Sequence, residues 1–341
     1  MKLLITGASG YIGRYVVAAA LRRGHQVKAL VRPSTDVSPL NWAAHPHIEL
    51  VRLDLLQAEG LTQSLQDVDA VIHLVAILSG DTETQIRDTT EATTQLLTAM
   101  TAAQVRRLVG ISTFSVYEYL RKPERSLLDE RSKLVVNASE RDGYTQAKLL
   151  QEEQFHRYGE DNQGQVTVLR PGMVYGRENL WHALLGAQLG GMFLRIGDRA
   201  TLPLTYVENC AEVMVLAAES EAAIGQTLNV VDDDLPTQKG YVRTLKHLTH
   251  APNLKYIPWP LMRSLASFAW RVNQVMFRGK AKLPGILVPA KLHARFKPLR
   301  YSNEQVKQVL SWQPRYGMAE ALDRSCSAQD LLRVDRSDVE N

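Results

Sequence analysis

The feature that most constrains this chain lies at its start. A short apolar run, Lys2-Leu3-Leu4-Ile5-Thr6, passes directly into Gly7-Ala8-Ser9-Gly10-Tyr11-Ile12-Gly13 and then into an alanine-rich amphipathic stretch ending at Gly24. A strand, a glycine turn and a helix in immediate succession predict the opening of a parallel α/β sheet. Glycines allow the tight turn and let an anion approach the backbone. The free N–H groups and dipole of the following helix attract that anion. The spacing is GxxGxxG rather than GxGxxG. The turn predicts a pyrophosphate site built from Gly7, Ser9, Gly10, Tyr11, Ile12 and Gly13.

The rest of the chain continues the rhythm. Strand-like runs QVKALV (26–31), IELVRL (48–53), DAVIHLV (69–75), RLVGIS (107–112), QVTVLR (165–170) and QTLNVV (226–231) alternate with helical patterns, notably at 82–104 and around 143–158. Strands alternating with helices predict a doubly wound parallel sheet with helices on both faces. We expect a dinucleotide-binding domain over 1–172, completed by about 206–232. A smaller substrate-binding lobe is expected from 173–205 and 233–325, and a polar tail from 326–341. The N-terminal apolar run is too short for a signal peptide, and two cysteines without a CxxC pattern suggest a reducing compartment. The expectation is a cytoplasmic protein. The nine histidines form no metal-binding motif, so no metal is expected.

Charge is unevenly spread. Residues 239–315 hold fifteen basic residues and one acid, Glu304, in a chain whose net charge is +4. This asymmetry predicts either a solvated basic face or an anionic partner. No recognition-helix motif accompanies it, so nucleic acid is not expected.

The end of the second strand bears on cofactor choice. An acid there binds the ribose hydroxyls of NAD, whereas arginine pairs with the 2′-phosphate of NADP. The chain has Arg32, with no acid before Asp36, which favours NADP and leaves NAD open. Asp54, after the third strand, is placed to reach the adenine ring or to cap a helix. In "YTQAK", Tyr144 and Lys148 share one helix face. Hydride transfer to a ketone needs a proton donor, and the reverse needs a base. A phenol of ordinary pKa about 10 is acidified by a nearby ammonium. Ser112, Thr113 and Ser115, at the end of the fifth strand, are candidate hydroxyls to orient a substrate oxygen.

The segments TGASGYIG, Asp54-Leu55, STFSVY, YTQAK, LRPGMVYG and YVENCAE, with the late RYSNEQVKQVLSWQPRYGMAEAL, resemble the extended short-chain dehydrogenase/reductase family in order and over roughly residues 1–325. The resemblance implies Tyr144 as acid/base, Lys148 as its activator and a ribose ligand, and Thr113 as the active-site hydroxyl with Ser112 as fallback. It also places Leu55, Val75, Ala76 and Pro171 along the cofactor. The family's helix asparagine is replaced by Thr89, with loss of an amide contact. Members acting on nucleotide-linked sugars usually carry asparagine where this chain has Met173. That departure points to the 3β-hydroxysteroid dehydrogenase and dihydroflavonol reductase-like branch, acting on a hydroxyl or ketone of a bulky apolar skeleton. A nucleotide-sugar epimerase or dehydratase with bound NAD, and a non-catalytic NADPH-binding sensor, are the alternatives. Leu261, Leu265, Phe268, Val272 and Val275 follow helical spacing, beside Trp259, Trp270, Arg263 and Arg271. Such a helix serves as a pocket wall or lies on an anionic membrane surface, through the basic 255–300 segment. The resemblance also suggests a homodimer through the helices near 82–103 and 141–158.

Overall fold

The computed structural model describes residues 1–332 apart from 58, 162, 190–191, 250–251 and 328; most of the expected polar tail lies outside the described residues. The chain opens with β1 (Lys2–Thr6), α1 (Tyr11–Arg22), β2 (Gln26–Val31), β3 (Ile48–Arg52), α2 (Leu61–Ser64) and β4 (Ala70–His73). Next come α3 (Thr82–Ala102), β5 (Arg107–Ile111), β6 (Leu127–Leu128), α4 (Gly143–Asp161), β7 (Gln165–Pro171) and β8 (Met173–Tyr175). Then follow β9 (Gly186–Leu189), β10 (Met192–Ile196), β11 (Leu204–Tyr206), α5 (Val207–Glu219), β12 (Thr227–Val230) and α6 (Gln238–Leu248). The last elements are β13 (Leu254–Ile257), α7 (Trp259–Met276), α8 (Pro289–Phe296), β14 (Arg300–Tyr301), α9 (Glu304–Leu310) and α10 (Met318–Ser327).

Seven strands form one sheet in the order β12-β7-β5-β4-β1-β2-β3, and each neighbouring pair is parallel. This is the doubly wound Rossmann-type order. The strand order reverses between β1 and β4, where open α/β sheets bind ligands beyond their carboxyl ends. Strand side chains alternate faces with period two. Leu3 and Ile5 of β1 accordingly join one core with α1 and α5, while Leu4 joins another with residues of α2, α3 and α4. All three leucine and isoleucine side chains are fully buried. Both faces of β1 are therefore covered, which explains why its sequence is continuously apolar rather than alternating.

Beyond β7 the chain builds a smaller set of elements. Strands β9, β10 and β13 make a three-stranded sheet, and β8 pairs with β11. Helices α7 and α8 pack through Met262, Ala266, Leu292 and Phe296 against Ile196 of β10. Among the described residues no helix is long and apolar enough to cross a membrane.

Candidate active site

The glycine turn connects β1 to α1 as the sequence predicts. Gly7 has φ +67°, a conformation that favours glycine. A Cβ on Gly13 would lie 2.1 Å from the Gly7 carbonyl oxygen, so only glycine lets α1 start this close to the strand. Gly10 precedes the helix and supplies no side-chain cap, leaving the first-turn N–H groups available to an anion. These features fit a dinucleotide pyrophosphate. Ser9 and Ile12 are partly buried on this turn. Tyr11 stands differently from its neighbours: its hydroxyl is buried without a hydrogen-bond partner, and a Cβ on Gly176 would meet that oxygen at 2.6 Å. Its side chain points into the protein, so its contribution to the turn is its backbone.

Arg32 is exposed immediately after β2. Arg52, at the end of β3, donates to the carbonyls of Pro33 and Thr35 at 3.1 and 3.0 Å. A second cation therefore props the loop that follows Arg32, and the sequence reading had not singled it out. Asp54 accepts from the Leu56 N–H at 3.0 Å and so organises its own turn, while Leu55 is buried in the core beneath α2 and α3. Val75 lies against the turn, its Cγ2 3.3 Å from where a Gly7 Cβ would be. Ala76 is partly buried one residue on. Thr89, which stands at the position of the family's helix asparagine, holds this loop by accepting from the Ile77 N–H at 2.9 Å. Pro171 ends β7, buried and in register with Val230 of β12.

Thr113 follows β5, and Tyr144 and Lys148 lie one turn apart at the start of α4. Asp142 caps that helix by accepting from the Thr145 N–H at 3.0 Å. Thr113 lies near enough to the Tyr144 phenol to lower its pKa, while its own Oγ1 accepts from the Ser115 N–H at 3.2 Å. Ser112, by contrast, donates its hydroxyl to Glu152 and is buried. Ser115 presents a buried hydroxyl oxygen without a partner in the same loop.

The electrostatics of the pair depart from expectation. Burial pushes the Tyr144 phenol up to about 12, and the nearby Thr113 hydroxyl only partly opposes it. Lys148 does not hold the phenol down. Its ammonium donates to the Ile111 carbonyl and to Gln151 Oε1, both at 2.7 Å. Burial lowers the Lys148 amine to about 7, against the opposing pull of Glu152. The physical reason is desolvation: taking either charge out of water here outweighs an attraction one helical turn long.

A polar network missed in the sequence underlies the pair. Gln151 passes Lys148's hydrogen bond onward, donating to Thr93 at 2.8 Å and to the Val75 carbonyl at 3.0 Å. His73 bonds Thr93 at 3.2 Å and Thr6 at 2.8 Å, and burial holds its pKa down at about 3, so the ring is neutral. Lys148 is thus tied through Gln151 to the ends of β1 and β4. On the other side Glu152 pairs with Arg170, and Arg170 donates to the Tyr117 hydroxyl at 3.0 Å. Gln151 and Glu152 stand three and four residues after Lys148, a helical spacing that was available in the sequence.

Met173 begins β8 and is partly buried. The nearby Asn179 amide donates to the Val174 carbonyl at 2.8 Å and approaches the Met173 sulfur at 3.6 Å. A separate cavity of about 590 Å³ is lined by Glu124, Arg199, Tyr256, Trp259, Phe296 and Arg300 among others. Thr113, Tyr144 and Lys148 do not line it.

The profile of the NAD dependent epimerase/dehydratase family matches residues 3–230. The chain belongs to that family. The chain is similar to a 3-beta-hydroxysteroid dehydrogenase of Mycolicibacterium neoaurum, 28% identical over 64% of this chain and 61% of that protein. A sterol-4-alpha-carboxylate 3-dehydrogenase (decarboxylating) of Mus musculus is 24% identical over 98% of this chain and 92% of that protein. The chain spans 54% and 61% of the lengths of the first two curated relatives it matches. Among solved structures, the UDP-glucuronic acid 4-epimerase of Bacillus cereus, with UDP-glucuronic acid and NAD, superposes with a TM-score of 0.70 at 20% identity, covering 96% of this chain and 98% of that one. At that identity the likeness speaks for the fold. The glycine turn described above fits the dinucleotide for which that family is described.

Proposed function

We propose that the chain interconverts a secondary hydroxyl and a ketone on a bulky hydrophobic or amphiphilic substrate, with a preference for NADP. The observation that carries this reading is the Thr113 hydroxyl beside the Tyr144 phenol at the end of β5, with the buried Lys148 one helical turn on. A dinucleotide held by the glycine turn would supply or take up the hydride. Thr113 orients the substrate oxygen, and Tyr144 exchanges a proton with it at the phenol oxygen. With its pKa raised to about 12, the phenol is protonated near neutrality and poised to donate. Lys148, fixed by Ile111 and Gln151, is the residue to which the resemblance assigns the ribose.

Met173 supports a non-sugar substrate, since a thioether cannot offer the amide used for a diphosphate, and Asn179 spends its amide on Val174. The similarity to dehydrogenases named for sterols points the same way. Arg32, with Arg52 bracing its loop, supports NADP. The test is to denature the purified protein and identify the released nucleotide, then to follow NADPH and NADH consumption with a panel of sterol and other bulky ketones. The reading expects net NADPH consumption with a member of the panel. Tightly held NAD, with conversion of a uridine-linked sugar and no net cofactor consumption, would replace it with an epimerase.

A further inference from the structure

The sequence left helix α7 between two roles, pocket wall and membrane contact. The structure separates its two faces. Trp259, Met262, Ala266 and Asn273 are buried, and the first three join the core with α8. The stripe read from the sequence points the other way. Leu261 is 52% exposed, Leu265 45%, Phe268 70% and Val275 81%. Met276 and Phe277, at the helix exit, are 72% and 53% exposed. Leu261, Leu265, Phe268 and Val275 are spaced four, three and seven apart, with the half-buried Val272 between the last two, so these side chains lie along one side of the helix. Isolated exposed apolar residues are ordinary; four along one side of a helix, with two more at its exit, are not.

The ridge has a charged border. Arg271, Arg278, Lys280 and Lys282 are exposed beside and beyond it. From residue 235 to 303 the sequence contains no aspartate or glutamate. The turn carrying the last three cations is built rather than loose. The Asn273 side chain donates to the Ala281 carbonyl and accepts from the Ala281 N–H, both at 3.1 Å, and its own carbonyl accepts from Phe277 and Gly279. One buried asparagine thus fixes Phe277, Arg278 and Lys280 at the helix exit.

We infer that the outer face of α7 and its exit turn dock on an anionic lipid surface. The apolar ridge would enter the acyl boundary while the cations meet lipid headgroups, with the helix lying in the interface. A second copy of the chain is a poor occupant, because two such faces would bring like charges together. The inference stands apart from the oxidoreductase reading, since lipid binding is measured without turnover.

The experiment is flotation of the full chain with phosphatidylcholine vesicles, with and without phosphatidylglycerol. The expected result is flotation with the anionic vesicles, weakened by salt. The Phe268→Glu, Val275→Glu double variant should remain at the bottom of the gradient. The Lys280→Gln, Lys282→Gln variant should bind roughly thirtyfold more weakly, about fivefold for each cation. Unchanged circular dichroism and unchanged nucleotide binding confirm that each variant is folded. Absence of flotation by the parent chain would overturn the inference, as would equal flotation of the Phe268→Glu, Val275→Glu variant. A parent that fails to float but sediments as a dimer, and becomes monomeric with those glutamates, would assign the face to self-association instead.

Discussion

Replacing Glu152 by glutamine tests whether the network beneath the active site is energetically what its geometry says. The Glu152 and Arg170 side chains are only 4% and 6% exposed. Burial alone would push the carboxyl up, but the His156 ring 3.8 Å away, hydrogen bonds from Arg170 and Ser112, and the Arg170 charge hold it at about 2 against an ordinary 4.5. At 1.36 kcal/mol per pKa unit, that depression corresponds to roughly 3 kcal/mol of folding stability. The cost of breaking a buried pair, about 3–5 kcal/mol, gives the same scale. The sign follows from the depressed folded pKa: the contribution is present above about 4.5 and lost as pH falls toward 2. Urea unfolding at neutral pH should therefore show Glu152→Gln less stable by about 3 kcal/mol. The gap from the parent should narrow as the pH is lowered through that window. Replacing both partners with apolar residues, Glu152→Leu with Arg170→Met, should recover much of the loss. A neutral-pH deficit below about 1 kcal/mol, or a gap independent of pH, would refute the reasoning. The variant also bears on Lys148, whose amine Glu152 helps keep charged; its pKa should fall further in Glu152→Gln.

Other expectations follow from single contacts. Gly13→Ala should abolish dinucleotide binding in a fluorescence titration and lower the melting temperature, because its Cβ would meet backbone at 2.1 Å and no side chain can move aside. Arg32→Glu should weaken NADPH binding roughly tenfold to a hundredfold while leaving NADH binding nearly unchanged, through loss of a charge-assisted contact. Equal losses for both nucleotides would remove the argument for NADP. In Gln151→Leu, Lys148 loses one of its two hydrogen bonds; we expect the pH profile of turnover to move, and an unmoved profile would leave Gln151 with a purely structural part.

How much of this was legible in the sequence depends on how local the cause is. The seven strands of the main sheet follow runs that the sequence displayed, because strands buried on both faces are continuously apolar and glycines punctuate them. The small sheet of β9, β10 and β13 was not read. Its strands are four or five residues long, and β13 joins β10 from far along the chain. Helices α6 and α8 were hidden in the basic, proline-punctuated segment, where solvated cations blur the periodic signal. In the site, Thr113, Tyr144 and Lys148 were visible as motif residues. Arg170 and His73 were not, since only folding brings them to α4. The phenol's raised pKa also escaped, because the spacing displays the cation but not the depth of burial. Helix α7 was ambiguous for a simpler reason. Both of its faces carry large apolar residues, and the sequence does not say which one meets the protein.

The account depends most on proton exchange at Tyr144, and the direct measurement is turnover of a ketone by Tyr144→Phe, read as loss of reduced nicotinamide absorbance beside nucleotide affinity. Removing a positioned acid should slow turnover by about 10²–10⁴-fold while NADPH still binds as to the parent. A phenylalanine variant that turns over at the parent's rate would contradict it.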